Sequence, residues 1–393
     1  MLNHAVFLTQ DTKIGESTAR PGRTCYTARQ KMSRMSLPTI QKIRVRAVRV
    51  PMAEPHRTAS GMIGESPLVL TDVVTDSGIE GHSMIFTYTP AALAPTAELI
   101  RNIVPLVQGD PLAPTAVAEK LNQRFRLLGT QGLVGMALAA IDMALWDALA
   151  REHGLPLVRL LGGAEHPVKP YGAIGYDGVD DCARRAELWA QQGFTGIKDK
   201  IGYPTVAEDV AVVRAMRTAA GDDMAIMVDY NQCLTSAEAV VRLQILDQEG
   251  LTWVEEPTLA HDYAGHAAIA QAADTPIQCG ENWWGTLDMR HAIEAGASDL
   301  LMPDVMKIGG VTGWLRAAAL AQVNAIPVSS HLWPELSARL LCCTPTAHWL
   351  EYSDWWNPIL RTPLQVSDGL ALVDNTVGSG LEWDEEAIQR FAA

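Results

Sequence analysis

Ionisable side chains recur along residues 198–351 at nearly regular intervals, each at the end of a short apolar run. Lys198 and Lys200 come first, then Asp229 with Asn231, then Glu255 or Glu256, and then Glu281, Asp304, His331 and Glu351. From Asp229, taking Glu255, the successive intervals are 26, 26, 23, 27 and 20 residues, about one strand plus one helix each. Apolar strands rarely tolerate such groups without a use for them. Taken singly, a strand-end acid is usually a solvated cap, a lysine a surface charge, and a lone histidine a hydrogen-bonded core residue. Seven positions in one register are poorly explained that way. Three carboxylates on neighbouring strands form an all-oxygen donor set, which suits Mg²⁺ rather than Zn²⁺. Removing a proton next to a carboxylate creates an enolate dianion, and a divalent cation with nearby ammonium groups stabilises that charge as it develops. Bases on both sides of the carbon permit return of the proton to the opposite face, or loss of a leaving group.

The elements that must position these groups follow from the hydrophobic periodicity. After Pro167, eight short apolar strands (YGAIGYD, GIKDKIG, AIMVDYN, TWVEEP, IQCGEN, LLMPDVM, PVSSHL and HWLEYS) alternate with about seven amphipathic segments. That pattern predicts a parallel (β/α) barrel whose strand ends converge on one mouth. No glycine-rich dinucleotide fingerprint follows any strand, which argues against an open doubly wound sheet. Strand periodicity puts Lys198 and Lys200 on one face with Asp199 on the other, and likewise pairs Asp229 with Asn231. Glu255 and Glu256 must then point oppositely, and the sequence leaves open which is inward. Lys200 on the second strand and His331 on the seventh lie on roughly opposite sides of the mouth.

Before the barrel, IQKIRVRAVRV (40–50), LVLTDVVTD and IEGHSMIFTYT read as strands, with residues 52–66 as a loop. Helical patterns follow over 90–107, 114–127 and 132–153, so this region reads as an α+β unit. The expected division is an N-terminal extension (1–35), an α+β capping domain (36–165), the barrel (166–358) and a C-terminal segment returning to the cap (359–393). Residues 1–35 are rich in Arg, Ser and Thr and lack an apolar period. They read as a disordered extension or a misassigned start, with Met35 as the natural first residue.

Composition narrows the partners. Of 393 residues 48% are hydrophobic and 19% charged, enough for a large core. A formal net charge of −14 repels phosphate backbones, so nucleic acid is not an expected partner. No segment reads as a membrane span or a secretory signal. Six cysteines without metal or disulfide spacing suit a reducing, cytoplasmic setting.

The segments KDKIGYP, VDYNQ, VEEPTLAHDY, GENWWG, MPDVMKIGGVTGW, SSHLWPE and TPTAHWLE resemble the mandelate racemase subgroup of the enolase superfamily, from about residue 40 to the C-terminus. The resemblance implies a (β/α)7β TIM-like barrel under an α+β cap, with Asp229, Glu255 and Glu281 as Mg²⁺ ligands. It implies Lys200 and His331 as bases on opposite faces, with His331 oriented by Asp304. By the same resemblance Lys198 contacts the substrate carboxylate and, by like-charge repulsion, lowers the Lys200 pKa. Glu351 shares a proton with the intermediate, and Asn231 lies near the α-substituent. Homo-oligomers, often octamers, are common in the family.

Departures from the family cluster where specificity should lie. Ala173 replaces a serine near the substrate carboxylate, and Ile174 replaces a neighbouring histidine. The capping loop reads HRTASGMI, with His56 and Ser60 at places the family fills with valine. Ser353 replaces a leucine after the strand-eight acid, while Phe86 and Tyr88 keep an aromatic wall. Loss of one hydroxyl donor weakens carboxylate binding by about 1 kcal/mol, so a substrate other than mandelate is expected. The leading expectation is racemisation or epimerisation of a 2-hydroxy acid. Dehydration of an acid sugar or hydroxy acid in the same site is the alternative, supported by the more polar loop. A non-catalytic binding barrel is disfavoured, since ligands and bases are all present.

Overall fold

The computed structural model describes residues 37–393 except 59 and 60. The reading of residues 1–35 and the assignment of Ser60 therefore lie outside the described residues. Three antiparallel strands open the chain: β1 (Ile40–Thr58), β2 (Gly61–Thr75) and β3 (Glu80–Phe86), in that order across the sheet. Helices α1 (Pro90–Val107), α2 (Pro114–Phe125) and α3 (Gly132–Glu152) follow, and a single turn, α4 (Leu157–Leu160), leads out.

The expected loop over residues 52–66 is corrected. β1 and β2 continue as a long hairpin, pairing Pro51 with Glu65, then His56 with Ile63 and Thr58 with Gly61. A register shift between Pro51 and His56 absorbs extra residues on β1, and the two prolines and two glycines there had read as turn signals. By length and composition alone α3 is apolar enough to cross a membrane, but 78% of its apolar window is buried inside the molecule. It is a core helix because β3 lies against it. At Gly81 a Cβ would sit only 2.3 Å from the Ala144 carbonyl oxygen and the Ala148 nitrogen, so only glycine allows this approach.

The second sheet is parallel, in the order β10-β4-β5-β6-β7-β8-β9. Its strands alternate with helices: β4 (Pro170–Ala173), α5 (Gly178–Gln191), β5 (Gly196–Lys200), α6 (Val206–Ala220), β6 (Ala225–Asp229), α7 (Ser236–Leu246), β7 (Trp253–Glu255), α8 (Tyr263–Ala272), β8 (Ile277–Cys279), α9 (Thr286–Ala295), β9 (Leu300–Leu301), α10 (Gly310–Val323), α11 (Pro334–Leu341) and β10 (Leu350–Tyr352). Between β9 and β10, Val328 bridges in parallel to both Leu301 and Ala347, and Asp304 bridges to His331. This seventh, bridge-only strand closes the barrel as eight strands. Tyr171, Met227, Trp253 and Trp349 pack as a separate buried cluster within it.

Two joints tie cap to barrel. Asp142 on α3 accepts the Thr312 N–H (2.9 Å) and hydroxyl at the start of α10, and Trp146 donates to the same hydroxyl (2.9 Å). The C-terminal segment, with β11 (Val366–Ser367), β12 (Leu370–Ala371) and α12 (Glu385–Arg390), returns to the cap sheet. There Arg49 N–H donates to the Phe391 carbonyl and Ala393 N–H to that of Ala47. The five described cysteines are free thiols.

Candidate active site

Every strand-end residue singled out in the barrel faces one mouth. Lys198 and Lys200 project from β5 on the same side, while Asp199 turns outward and accepts from the Cys182 thiol (3.3 Å). Asp229 ends β6, Glu255 ends β7 and Glu281 follows β8; oxygens of these three buried carboxylates lie within 4.8 Å of one another. Lys198 Nζ reaches Glu255 (2.6 Å) and Glu351 (2.9 Å), and Lys200 Nζ reaches Asp229 Oδ2 (2.7 Å). On the far flank His331 Nε2 lies 3.1 Å from Glu281 Oε2. The His331 Nδ1 meets Asp304 Oδ2 at 2.7 Å, and Asp304 is itself held by the Met306 N–H and the Trp333 indole. That bond fixes the ring and leaves Nε2 facing the carboxylates. Asn231 binds Asp229 through both its backbone N–H and its carboxamide, each at 2.7 Å.

The electrostatics are those of a site short of positive charge. Burial, with repulsion from Asp229 and Glu281, pushes the Glu255 carboxyl up to about 8 despite Lys198. Burial opposes the imidazolium of His331, yet Glu281 and Glu351 outweigh it and raise its pKa. For Lys200, burial and Lys198 both lower the pKa, but Asp229 wins and the net direction is up. The expected effect of Lys198 is present; it is not the dominant one. Crowded, buried carboxylates on three rigid strands, all oxygen donors, fit a hard divalent cation such as Mg²⁺.

The remaining assignments divide between two spaces. Asn231, Glu281 and Tyr88 line a cavity of about 860 Å³ beneath the β1–β2 hairpin, with Asn282 and Lys307. Phe86 does not line it; its ring stands behind Tyr88 at 4.8 Å. His56, Ala173 and Ser353 line a second cavity of about 320 Å³, together with Arg185 and Trp355. The His56 ring lies 4.7 Å from that of Trp355, tilted by 51°, and burial with the charges of Lys200 and Arg185 pushes its pKa well down.

The sequence reading missed Asn282 and Lys307, and named Glu256 only as the alternative to Glu255. Buried Glu256, just beyond β7, accepts from Asn282 (2.7 Å), which also donates to Glu281 (2.9 Å), while Lys307 Nζ donates to Asn282 (2.7 Å). The signal for Lys307 was a lysine three residues past Asp304 in an acidic chain. Positive φ at Tyr88, Asn231, Gln232, Glu256, Leu332 and Trp333 shows that the backbone turns sharply at this mouth, a strain of about 1–3 kcal/mol each that functional sites often store.

Comparison with known proteins agrees with this fold. Residues 40–162 match the mandelate racemase / muconate lactonizing enzyme N-terminal domain, and residues 181–387 the enolase C-terminal domain-like family. The chain is 30% identical over 362 residues to an L-talarate/galactarate dehydratase of Salmonella typhimurium, covering 88% of this chain and 90% of that one. It is 30% identical over 364 residues to a 3,6-anhydro-alpha-L-galactonate cycloisomerase of Streptomyces coelicolor, covering 90% and 99%. A solved enolase from Bradyrhizobium, complexed with magnesium and mandelic acid, superposes with a TM-score of 0.88 at 44% identity, covering 91% and 99%.

Proposed function

Because the chain belongs to the mandelate racemase/muconate lactonizing enzyme family of the enolase superfamily, we propose that it abstracts the proton α to a carboxylate, and that it racemises or epimerises a 2-hydroxy acid. The observation that carries this is the pair of bases flanking one carboxylate cluster, Lys200 against Asp229 and His331 against Glu281. Asp229, Glu255 and Glu281 hold Mg²⁺, which when bound supplies positive charge to the reacting carboxylate. Lys198 binds an oxygen of that carboxylate, and Glu351 shares a proton with it as the enediolate forms. Lys200 Nζ takes the α-proton from one face, as the free amine it would become once Asp229, the partner that raises its pKa, is engaged as a metal ligand. His331 Nε2, as the imidazolium, returns one to the other. Asp304 keeps the imidazole oriented, and Asn231 contacts the α-substituent. Proton transfer by a positioned base typically contributes about 10²–10⁴-fold.

Dehydration is the second reading, favoured by the polar residues of the large cavity and by the similarity to an acid-sugar dehydratase. The two share every residue named above. We further take residues 36–165 and 359–393 as the cap over the barrel at 166–358. We take the enzyme to be a cytoplasmic homo-oligomer, an octamer among the candidates, without nucleic-acid or membrane partners.

Proton NMR in D₂O with Mg²⁺ separates the readings across a panel of 2-hydroxy acids and acid sugars. Racemisation predicts α-proton exchange with both enantiomers of one compound. Lys200→Ala should abolish exchange from one enantiomer only, and His331→Asn from the other; if both variants exchange both enantiomers, the base assignment falls. A 2-keto acid product without interconversion would select dehydration.

A further inference from the structure

The loop that follows Lys200 is fixed by a buried acid that has no part in the proposed chemistry. Asp209, in the first turn of α6, is fully buried. Its Oδ1 accepts from the N–H groups of Gly202 and Tyr203, both at 2.9 Å. Its Oδ2 accepts from the Tyr230 hydroxyl (3.0 Å) and the Arg242 guanidinium (2.8 Å). These partners are not scattered. Gly202 and Tyr203 come just after the proposed base Lys200, and Tyr230 directly follows the proposed ligand Asp229. Arg242, on α7, also donates to the Tyr203 carbonyl (2.8 Å) and is itself held by Glu238 (2.7 Å). The loop has little slack. Gly202 has a φ of +113°, and a Cβ there would sit 2.6 Å from the Cys233 sulfur and 3.4 Å from the Tyr230 ring.

We propose that Asp209, braced by Arg242, is a positioning residue that sets the Lys200 ammonium against Asp229. This rests on the reading of Lys200 as the base of one face and of Asp229 as a metal ligand. Asp209 touches neither side chain. It acts on the backbone just past each, at the ends of the adjacent strands β5 and β6, where Lys200 and Asp229 are partners in register. The Ile201 N–H still donates to the Asp229 carbonyl (2.9 Å). Beyond that link the Asp209 bridge takes over, from Gly202 and Tyr203 on one side to Tyr230 on the other. The 2.7 Å contact of Lys200 Nζ with Asp229 Oδ2 depends on how the two strand ends are set. A flexible lysine stem on a loose strand end does not hold its ammonium to the fraction of an ångström that proton transfer needs. His331 stands apart from this brace. Asp304 holds its ring, with Met306 and Trp333 behind, and among the described residues no bond of Asp209 or Arg242 reaches that group. The brace therefore serves one face of the site.

Magnesium alone provides the first test. Calorimetry should show Mg²⁺ binding about tenfold weaker in Asp209→Asn, as for outer partners of other metal sites. Asp72→Asn, on strand β2 of the cap, controls for lost stability without lost positioning, and its Mg²⁺ affinity should match wild type. The second readout is exchange in D₂O at saturating Mg²⁺, with both enantiomers of mandelate and of 2-hydroxyglutarate. Exchange of the enantiomer that Lys200→Ala silences should fall at least about tenfold more than exchange of the other. Arg242→Gln should act in the same direction, and Arg242→Lys, which keeps the charge, should lose less. Tyr230→Phe removes one hydroxyl and leaves the ion pair, so it protects the fold and should give a smaller loss of the same kind. Unchanged Mg²⁺ affinity in Asp209→Asn overturns the proposal. A loss of exchange shared equally by both enantiomers overturns it too, by making Asp209 a structural group. If wild type fails to exchange both enantiomers of either acid, the two-base reading falls and the Mg²⁺ comparison alone decides on Asp209. If wild type binds no Mg²⁺, the ligand reading falls and takes the inference with it.

Discussion

At the residue scale the site is an arrangement of charges whose balance is incomplete within the protein. Three buried carboxylates face two lysines and a histidine, and Glu255 is still pushed up to about 8 by its surroundings. A divalent ion resolves that repulsion, so each ligand should matter strongly to its binding. Asp229→Asn should weaken Mg²⁺ binding by roughly 100-fold or more in calorimetry, beyond what outer partners of a metal site usually contribute. Unchanged affinity would remove Asp229 from the ligand set. The same scale shows where adjacency in sequence misleads. Glu255 and Glu256 were expected to face opposite ways, but the strand ends between them and Glu256 adopts a φ of +36°. Its carboxylate consequently returns to the site through Asn282.

At the scale of elements, the cap sheet is fastened by one buried acid. Asp72 on β2 accepts from Arg44, Arg46, His82 and the Trp383 indole of the C-terminal segment. Burial alone would raise its pKa, but the bonds from His82 and Trp383 and the charge of Arg46 carry it down to about 2. A depressed carboxyl stabilises the fold above its unfolded value of 3.8 and loses that contribution as pH falls through about 2. The shift corresponds to about 2 kcal/mol at neutral pH. Asp72→Asn should therefore lower stability by at least that much in denaturant melts at pH 7, and the gap from wild type should narrow as pH falls from 4 towards 2. A gap that stays constant with pH would assign the loss to packing rather than charge.

For the whole molecule, metal binding and folding are linked. The three ligands come from successive strand ends 26 residues apart in sequence, so the unfolded chain has no comparable site. Free Mg²⁺ at about a hundred times its Kd should add roughly 3 kcal/mol to stability, seen as a rise in Tm of a few degrees. The rise should be absent in Asp229→Asn. Thermal melts that do not respond to Mg²⁺ in the unaltered protein would argue against a site preformed in the native state. The cap matters at this scale as well, since the β1–β2 hairpin roofs the cavity that the barrel opens.

The sequence by itself determined the barrel and the mouth. Strand and helix repeat with their own periods, and an ionisable group at the end of each apolar run is conspicuous because burial there is unfavourable. The positions of Lys198, Lys200, Asp229, Glu281, Asp304, His331 and Glu351 followed from local pattern alone. Only the tertiary structure decided what depends on distant segments meeting. The hairpin at 52–66 hid behind Pro51, Pro55, Gly61 and Gly64, because local turn chemistry does not register cross-strand pairing. His56, Ala173 and Ser353 come from three remote stretches, and only packing shows that they line a cavity distinct from that of Asn231 and Tyr88. Lys307 was not singled out in the sequence; its burial beside Tyr88 and Asn282 is set by how the cap closes over strand ends, which no local spacing encodes.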